Sequence, residues 1–387
     1  MTLPTHHPAW IEVDLDALVA NARVLREVVP PPARLGILVK ANGYGHGIVE
    51  SARAALAGGA DQLVVAAFEE GLALRDAGIS AQVLVVYPVA REVAVEAARL
   101  DLELSVSGLA SARQLVTAIE AGRDAMGGPL AVHVEVDSGM SRGGARPRDV
   151  PAVLELLEAC PGIEVVGLWS HLLDGSSPEA TLGQVHEFAA ASELVTGSGR
   201  HLPPRHLAAS EGLFTQTAPQ YDMARIGLAF YGELGLDVEP APGLRAVAGR
   251  LRPAMTVMAR AVHLEPVAPG ATVGYGGEWT AARPSLVATL PIGYADGWTR
   301  RYWPGGEALV RGRRVPVVGR ISMDSTCLDV TDVPGVDLED AFVLLGAQGS
   351  DRITANELAR LRGSIPNEVL ATLGPRLPRM YRGALAT

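Results

Sequence analysis

Lysine is almost missing from this chain. Of its 387 residues, 33 are basic, and 32 of those are arginine, which leaves Lys40 alone. Heavy use of Ala, Gly, Arg, Pro and Val marks a compositional drift behind most of that loss, so the one lysine that survived it needs a reason. Cysteine is scarce too. Cys160 and Cys327 lie far apart without CxxC spacing, which argues against a disulfide scaffold or a cysteine-based zinc site and fits a reducing cytoplasm. No metal site is expected. No run reaches the roughly 18 apolar residues of a membrane-spanning helix. The opening MTLPTHHPAWIEVDLDAL turns acidic too early for a secretory leader. Positive charge is also short, with 43 acidic residues giving a formal net charge of −10. Nucleic acid is therefore excluded as a partner, because phosphate binding needs a basic face. What is plentiful is apolar surface: 48% hydrophobic and 20% charged residues describe a chain that buries a large core. Its length argues for two domains, or one barrel with an addition.

The pattern along the chain predicts an α/β fold. Residues 14–29, DLDALVANARVLREVV, open on acidic residues and carry apolar side chains at helical spacing. Candidate strands follow at 35–40, 62–68, 82–87, 102–107, 130–137, 163–170, 205–210 and 223–228, most of them separated by amphipathic segments such as VPAVLELLEAC. Val-, Ile- and Leu-rich strands alternating with helices predict a parallel sheet covered by helices. Eight of them within about 220 residues match the size of a (β/α)8 TIM barrel, here assigned to residues 8–238, with a doubly wound open sheet as the alternative. After about residue 240 the alternation stops. Runs such as SLVATLPIGYADGW and ALVRGRRVPVVGRI, punctuated by PG and GG, predict a mostly antiparallel β domain over 239–387, on which residues 1–7 are placed to pack.

Lys40 closes the first barrel strand, immediately before ANGYGHG. Reactive groups in such barrels sit at the C-terminal ends of strands. An amine there, its pKa lowered by desolvation or neighbouring cations, can form a Schiff base or take a proton. Gly43, Gly45 and Gly47 allow close approach of backbone to a ligand, and Tyr44 can donate a hydrogen bond. A lysine beside glycines is ordinarily an exposed residue before a tight turn; being the only lysine tells against that reading without naming a cofactor.

VKANGYGHG resembles the cofactor-lysine motif of the alanine racemases, fold-type III pyridoxal 5'-phosphate enzymes. The resemblance continues at DSGMSRGG (137–144), at the strand end carrying His171, and at MARIGLAFYG (223–232), VGYGGEW (273–279), LPIGYADG (290–297) and GRISMD (319–324). These segments span nearly the whole chain in the family's order. The family's architecture, a barrel followed by a mostly β domain, agrees with the pattern above.

The resemblance implies a two-base racemisation of L- and D-alanine, with Lys40 holding the cofactor and serving as one base and Tyr275 as the other. A phenol with its ordinary pKa of about 10 is a poor base at neutral pH, so that role calls for a nearby cation. In the family this tyrosine comes from the partner subunit, which implies a homodimer with shared active sites. Arg225 matches the arginine facing the pyridine nitrogen, His171 the imidazole packed on the ring, and His206 the group supporting that arginine. Tyr44, Ser210 and Gly227 match the phosphate cup. Arg142 matches the residue near the cofactor hydroxyl and the substrate carboxylate, with the Met323 backbone amide completing carboxylate binding, Asp324 supporting it, and Tyr294 lining the substrate entrance. Without the family, each tyrosine, histidine or strand-end glycine here would read as structural.

Two positions depart from the family. Where many members carry a carbamylated lysine, two residues before the Asp of the DSGM segment, this chain has Glu135. With no second lysine, no carbamate can form, and the expectation is that the glutamate carries the same negative charge and accepts from Arg142 in a charge-assisted pair; the alternative is a glutamate that points elsewhere along the strand. Where many members have a tyrosine that crowds the substrate, SIPNEVL puts Asn367, as in the serine/alanine racemases associated with glycopeptide resistance. A carboxamide opens room and offers a donor and an acceptor, and a hydroxyl added to alanine is hard to reject by size. L-Serine is thus a candidate second substrate; the plainer alternative is one exchanged packing contact. The resemblance leaves open wall (peptidoglycan) synthesis and a resistance role. A fold-type III decarboxylase is disfavoured by Arg225, and a non-catalytic pyridoxal-phosphate homeostasis protein by the second domain and Tyr275.

Overall fold

The computed structural model describes residues 7–386. The chain divides into two compact units, one of Leu18–Gly43 and Ile48–Arg252, the other of Met1–Ala17, Tyr44–Gly47 and Pro253–Thr387. The first is the barrel foreseen from the alternating pattern. Its eight strands are β2 (Arg34–Leu38), β3 (Gln62–Val65), β4 (Gln82–Val85), β5 (Leu102–Val106), β6 (Leu130–Glu135), β7 (Ile163–Trp169), β8 (Arg205–His206) and β9 (Met223–Ile226). They pair in sequence order, all parallel, and β2 closes the ring on β9 with Gly36 opposite Arg225. Closure brings the ends of the first and last strands side by side, which no local pattern could do.

Some of the helices that cover the barrel do so through an apolar stripe. Val150–Glu158, for example, buries Val150, Val153, Leu154 and Leu157, the i, i+3, i+4, i+7 spacing of an amphipathic helix. Each such side chain, fully buried, contributes about 1.5–3 kcal/mol.

In the other unit, β1 (Ala9–Asp14) runs antiparallel to β10 (Met255–Arg260) and parallel to Arg379–Arg382 within a seven-stranded sheet. A separate three-stranded antiparallel sheet joins His263–Val267, Ser285–Leu290 and Thr326–Asp329. Residues 9–14 were not read as a strand from the sequence. The packing divides at 17/18 and 252/253, where 7/8 and 238/239 were expected; the first shift follows because β1 belongs to the seven-stranded sheet. Residues 239–252 stay with the barrel, where the Asn21 side chain donates to the Arg252 carbonyl at 2.8 Å and accepts from its N–H at 2.8 Å. Of residues 1–7, all but His7 lie outside the described residues.

Candidate active site

Lys40 follows β2 by two residues and is partly buried. The chain then makes a turn of the wrong hand for L-residues: Ala41, Asn42 and Gly43 have φ of 52°, 54° and 61°. Asn and Gly tolerate this region, whereas Ala41 is held there at a cost of about 1–2 kcal/mol. Three contacts hold it. The Ala41 N–H donates to Glu70 Oε1 at 2.6 Å, the Ile48 N–H to Asn42 Oδ1 at 3.0 Å, and the Gly43 N–H to the Val39 carbonyl at 2.8 Å. A Cβ on Gly43 would stand 2.6 Å from Ser51 Oγ. Burial, with help from the charges of Arg142 and Arg225 and against that of Glu70, holds the Lys40 amine below its ordinary pKa.

Arg225, on β9, is 3% exposed. One guanidinium nitrogen, Nη2, donates to the Ser170 carbonyl at 2.6 Å; Nη1 donates to the His206 carbonyl at 3.0 Å and meets His206 Nδ1 at 2.9 Å. Its carbon lies 4.8 Å from the centre of the Trp169 ring, a cation–π contact. Burial lowers its pKa to about 10, Glu135 opposing and Arg142 adding to the shift. His171 Nδ1 is 3.5 Å from Arg225 Nη2. Burial, then the charges of Arg225, Arg142 and Lys40, push His171 down to about 3, so its imidazole stays uncharged at neutral pH.

At the end of β9 the Ser210 hydroxyl accepts from the N–H groups of Gly227 (3.2 Å) and Ala229 (3.4 Å), which gathers a hydroxyl and two backbone donors in one place. On the other side of the ring, β6 ends at Glu135, and the loop after it is tied back by Asp137 Oδ1, which accepts from Gly139 and Ser141 N–H at 3.0 and 2.9 Å. Glu135 packs against this loop, its Oε2 3.1 Å from where a Cβ on Gly143 would sit. Burial raises its pKa, while Arg142 and Arg225 oppose the rise. Arg142 is exposed, and no hydrogen bond joins it to Glu135 among the described residues; their coupling is through space.

The second unit has its own cleft of about 520 Å³, lined by Tyr275, Tyr294, Arg300, Ile321, Ser322, Met323 and Asp324. Its floor is set by a close turn: Tyr294 N–H donates to the Ser322 carbonyl and Ala295 N–H to that of Met323, both at 3.0 Å. A Cβ on Gly293 would lie 2.4 Å from those carbonyl oxygens, so only glycine fits. Tyr275 is bridged to Arg320 between Gly274 and Gly276, both with φ of 77°, and its side chain is 72% exposed. Asp324 accepts from Arg376 at 2.8 Å. In the same unit Tyr44 is buried and hydrogen-bonded to Asn367; burial pushes its hydroxyl up to about 12 despite that bond.

The family models of the alanine racemase N-terminal and C-terminal domains match residues 13–235 and 254–381. The chain belongs to the alanine racemase family. It is 40% identical to an alanine racemase of Symbiobacterium thermophilum over 392 aligned residues, covering all of both chains, and 38% identical to one of Sorangium cellulosum over 97% of this chain and 99% of that one. Among solved structures, alanine racemase of Bacillus anthracis with bound L-Ala-P superposes with a TM-score of 0.89 at 31% identity, covering 99% of this chain and 97% of that one. Alanine racemase from a D-cycloserine-producing Streptomyces lavendulae gives 0.89 at 33%, covering 98% of each.

Within this alanine racemase-family barrel, the residues singled out from the sequence form one connected group: Lys40, Arg142, Glu135, His171, His206 and Arg225 are joined by hydrogen bonds or by electrostatic coupling. Tyr275, Tyr294, Met323 and Asp324 share the second unit's cleft. Asn367 lies beside Tyr44. Sequence reasoning missed Glu70, which anchors the lysine turn, and Trp169, which faces Arg225. Trp169 stands two residues before His171 in LWSH, a signal that could have been used. Among the described residues no helix is long and apolar enough to cross a membrane, and no cluster of His, Cys, Asp and Glu could hold a metal ion.

Proposed function

We propose that this chain is a pyridoxal-phosphate-dependent alanine racemase, a cytoplasmic homodimer that produces D-alanine. The observation that carries the reading is Lys40: the only amine side chain in the protein, at a barrel strand end, held below its ordinary pKa by burial and two arginines. The residues present fit the cofactor. Lys40 would hold it covalently, Arg225 would face its pyridine nitrogen, His171 its ring, and Ser210, Gly227 and Tyr44 its phosphate. When bound, pyridoxal phosphate supplies the conjugated ring that takes up the electron pair left as Cα loses its proton.

The protein's own part is placement and proton transfer. Lys40 Nζ serves one face of Cα and the Tyr275 hydroxyl the other. Arg225 can only donate, so it passes no proton to the pyridine nitrogen; this keeps the cofactor a modest electron sink and disfavours transamination. Arg142 and the Met323 N–H would take the substrate carboxylate, Asp324 would support that binding and Tyr294 would line the substrate entrance. The exposure of Tyr275 suits a residue that completes the site of a partner subunit. The test is to incubate the protein with L-alanine and pyridoxal phosphate and follow D-alanine and carbon dioxide; carbon dioxide without D-alanine would make it a decarboxylase.

Glu135, in this reading, stands in for a carbamylated lysine and holds negative charge beside Arg142 with no need of bicarbonate. Glu135→Gln is expected to raise KM for alanine about 10-fold, on the scale of about 1.5 kcal/mol for a lost charge contact, and wild-type activity should not respond to added bicarbonate. Unchanged KM and kcat in the variant would remove Glu135 from the site.

Serine is proposed as a second substrate, on the strength of the smaller, hydrogen-bonding Asn367. The carboxamide's bond to Tyr44 leaves it with donor or acceptor capacity to spare. Asn367→Tyr is expected to lower kcat/KM for serine relative to alanine by about 10-fold, the range for one steric group in a small pocket. Measuring both substrates with both proteins decides it, and an unchanged ratio would sink the serine reading.

A further inference from the structure

Behind Arg225 lies a row of buried polar groups that the reaction as described does not use. His206 Nδ1 meets Arg225 Nη1 at 2.9 Å; His206 Nε2 meets His133 Nδ1 at 2.9 Å; His133 Nε2 meets Glu103 Oε2 at 2.8 Å. The same carboxylate oxygen accepts from Gln62 Nε2 at 2.5 Å. Arg225, His206, His133, Glu103 and Gln62 are exposed by 3, 2, 2, 6 and 0%. The row thus runs from β9 through β8 and β6 to β5 and ends at Gln62 on β3.

The barrel is built around it. On β7, a Cβ at Gly167 would come within 2.0 Å of His133 Nδ1, so the neighbouring strand leaves out a side chain where that imidazole lies. Trp169 stacks on His206 at 6.2 Å with planes 14° apart, and is itself pinned by a bond from its Nε1 to Ser105 Oγ at 2.8 Å.

Chemistry at the two ends dictates the protons between them. A guanidinium has only donors and a carboxylate only acceptors. His206 must therefore present a bare Nδ1 to Arg225 and carry its proton on Nε2. His133 must then accept at Nδ1 and donate from Nε2 to Glu103. A second proton on His133 would leave a proton on both sides of the His133–His206 contact or force one onto His206 Nδ1, facing a donor. Both rings are thus neutral and protonated on Nε2.

We propose that Glu103 is a positioning residue for Arg225, acting through His133 and His206 by imposing one direction of hydrogen bonding along the row. With Glu103 replaced, only the guanidinium end still opposes reversal, so the row is no longer held from both ends and the reversed direction gains population. That would turn His206 Nδ1–H against the guanidinium and release the contact that orients it. The inference rests on the reading of Arg225 as the residue facing the cofactor nitrogen, while its first test does not depend on turnover.

That test is ring-nitrogen NMR of the full-length, cofactor-loaded protein labelled with ¹⁵N-histidine, the signals identified by their loss in His133→Gln and His206→Gln. Both rings are expected to show a protonated Nε2 and an unprotonated Nδ1 at neutral pH. In Glu103→Gln, whose amide can donate as well as accept, both rings are expected to become mixtures of the two tautomers. In the same variant kcat should fall about 10- to 100-fold, by analogy with the loss of a partner that orients a metal ligand, with KM within about 2-fold. Wild-type rings protonated on Nδ1 or on both nitrogens would overturn the proposal, even if the variant fails to fold. So would a Glu103→Gln protein whose ring signals and kcat match the wild type. If the wild type shows the stated tautomers but does not racemise alanine, the functional reading fails and the ordering of the row stands.

Discussion

Replacing Lys40 by arginine is expected to lower alanine racemisation by about 10⁴-fold or more. Loss of a positioned proton-transfer group alone is worth about 10²–10⁴, and the covalent hold on the cofactor goes with it. Arginine keeps the charge and most of the length, yet a guanidinium stays protonated at any working pH and has no lone pair to offer. The native amine is different because burial and the fields of Arg142 and Arg225 push its pKa down, which raises the share of free amine at neutral pH. Chiral analysis of alanine after incubation measures the first loss, and the visible absorbance of the purified protein measures the second. Thermal unfolding of the cofactor-free proteins should change little, since Lys40 is only partly buried. Lys40→Ala should lose as much and recover part of its rate with a small primary amine in solution, because the missing group is then supplied from outside. A Lys40→Arg protein within 10-fold of wild type would mean that the chain's one lysine survives for another reason.

How legible these features were in the sequence depended on whether their cause was local. Barrel strands buried on both faces read as runs of Val, Leu and Ile, and β3, β4 and β5 stand where those runs lie. β1 was missed because its six residues precede a strong helical pattern, and its partners at Met255–Arg260 and Arg379–Arg382 lie far along the chain. RHLAAS reads as a full strand, but only Arg205 and His206 pair, since Ser210 already begins a helix. In the site, Lys40 was conspicuous by scarcity, and Arg225 and Tyr275 by the company of their motifs. Glu70 was invisible: a glutamate in the first turn of an amphipathic helix looks like any solvated charge, and only the fold aims it at the Ala41 N–H. Glu103 was hidden for the opposite reason. An acidic residue within LELSVS invites an outward assignment, whereas closure of the barrel turns it inward to meet His133 and Gln62.

Tyr275→Phe is expected to slow racemisation by about 10²–10⁴-fold, the range for one general acid–base group, while leaving proton exchange on one enantiomer largely intact. Two enantiomers have equal free energy, so kcat/KM in the two directions must fall together and cannot reveal which face has lost its base. Isotope uptake is free of that constraint. In D2O, the enantiomer whose Cα hydrogen faces Lys40 should gain deuterium with retention, and the other should stay protiated; mass spectrometry after chiral separation distinguishes them. Equal uptake by both enantiomers would show that Lys40 serves both faces and that Tyr275 is no base. Folding of the protomer offers no competing explanation, because Tyr275 is 72% exposed there and removing its hydroxyl should change folding by no more than about 0.5 kcal/mol. The same variant also tests whether the site is shared between subunits. If Tyr275 acts on the partner's Lys40, neither Lys40→Ala nor Tyr275→Phe is active alone. Dissociated and re-paired in equal amounts, they should form mixed dimers with one intact site each, returning about a quarter of the wild-type activity by random pairing. If both groups act within one subunit, every mixed dimer lacks one base at each site and no activity returns. The recovered fraction therefore reads out the assembly through chemistry alone.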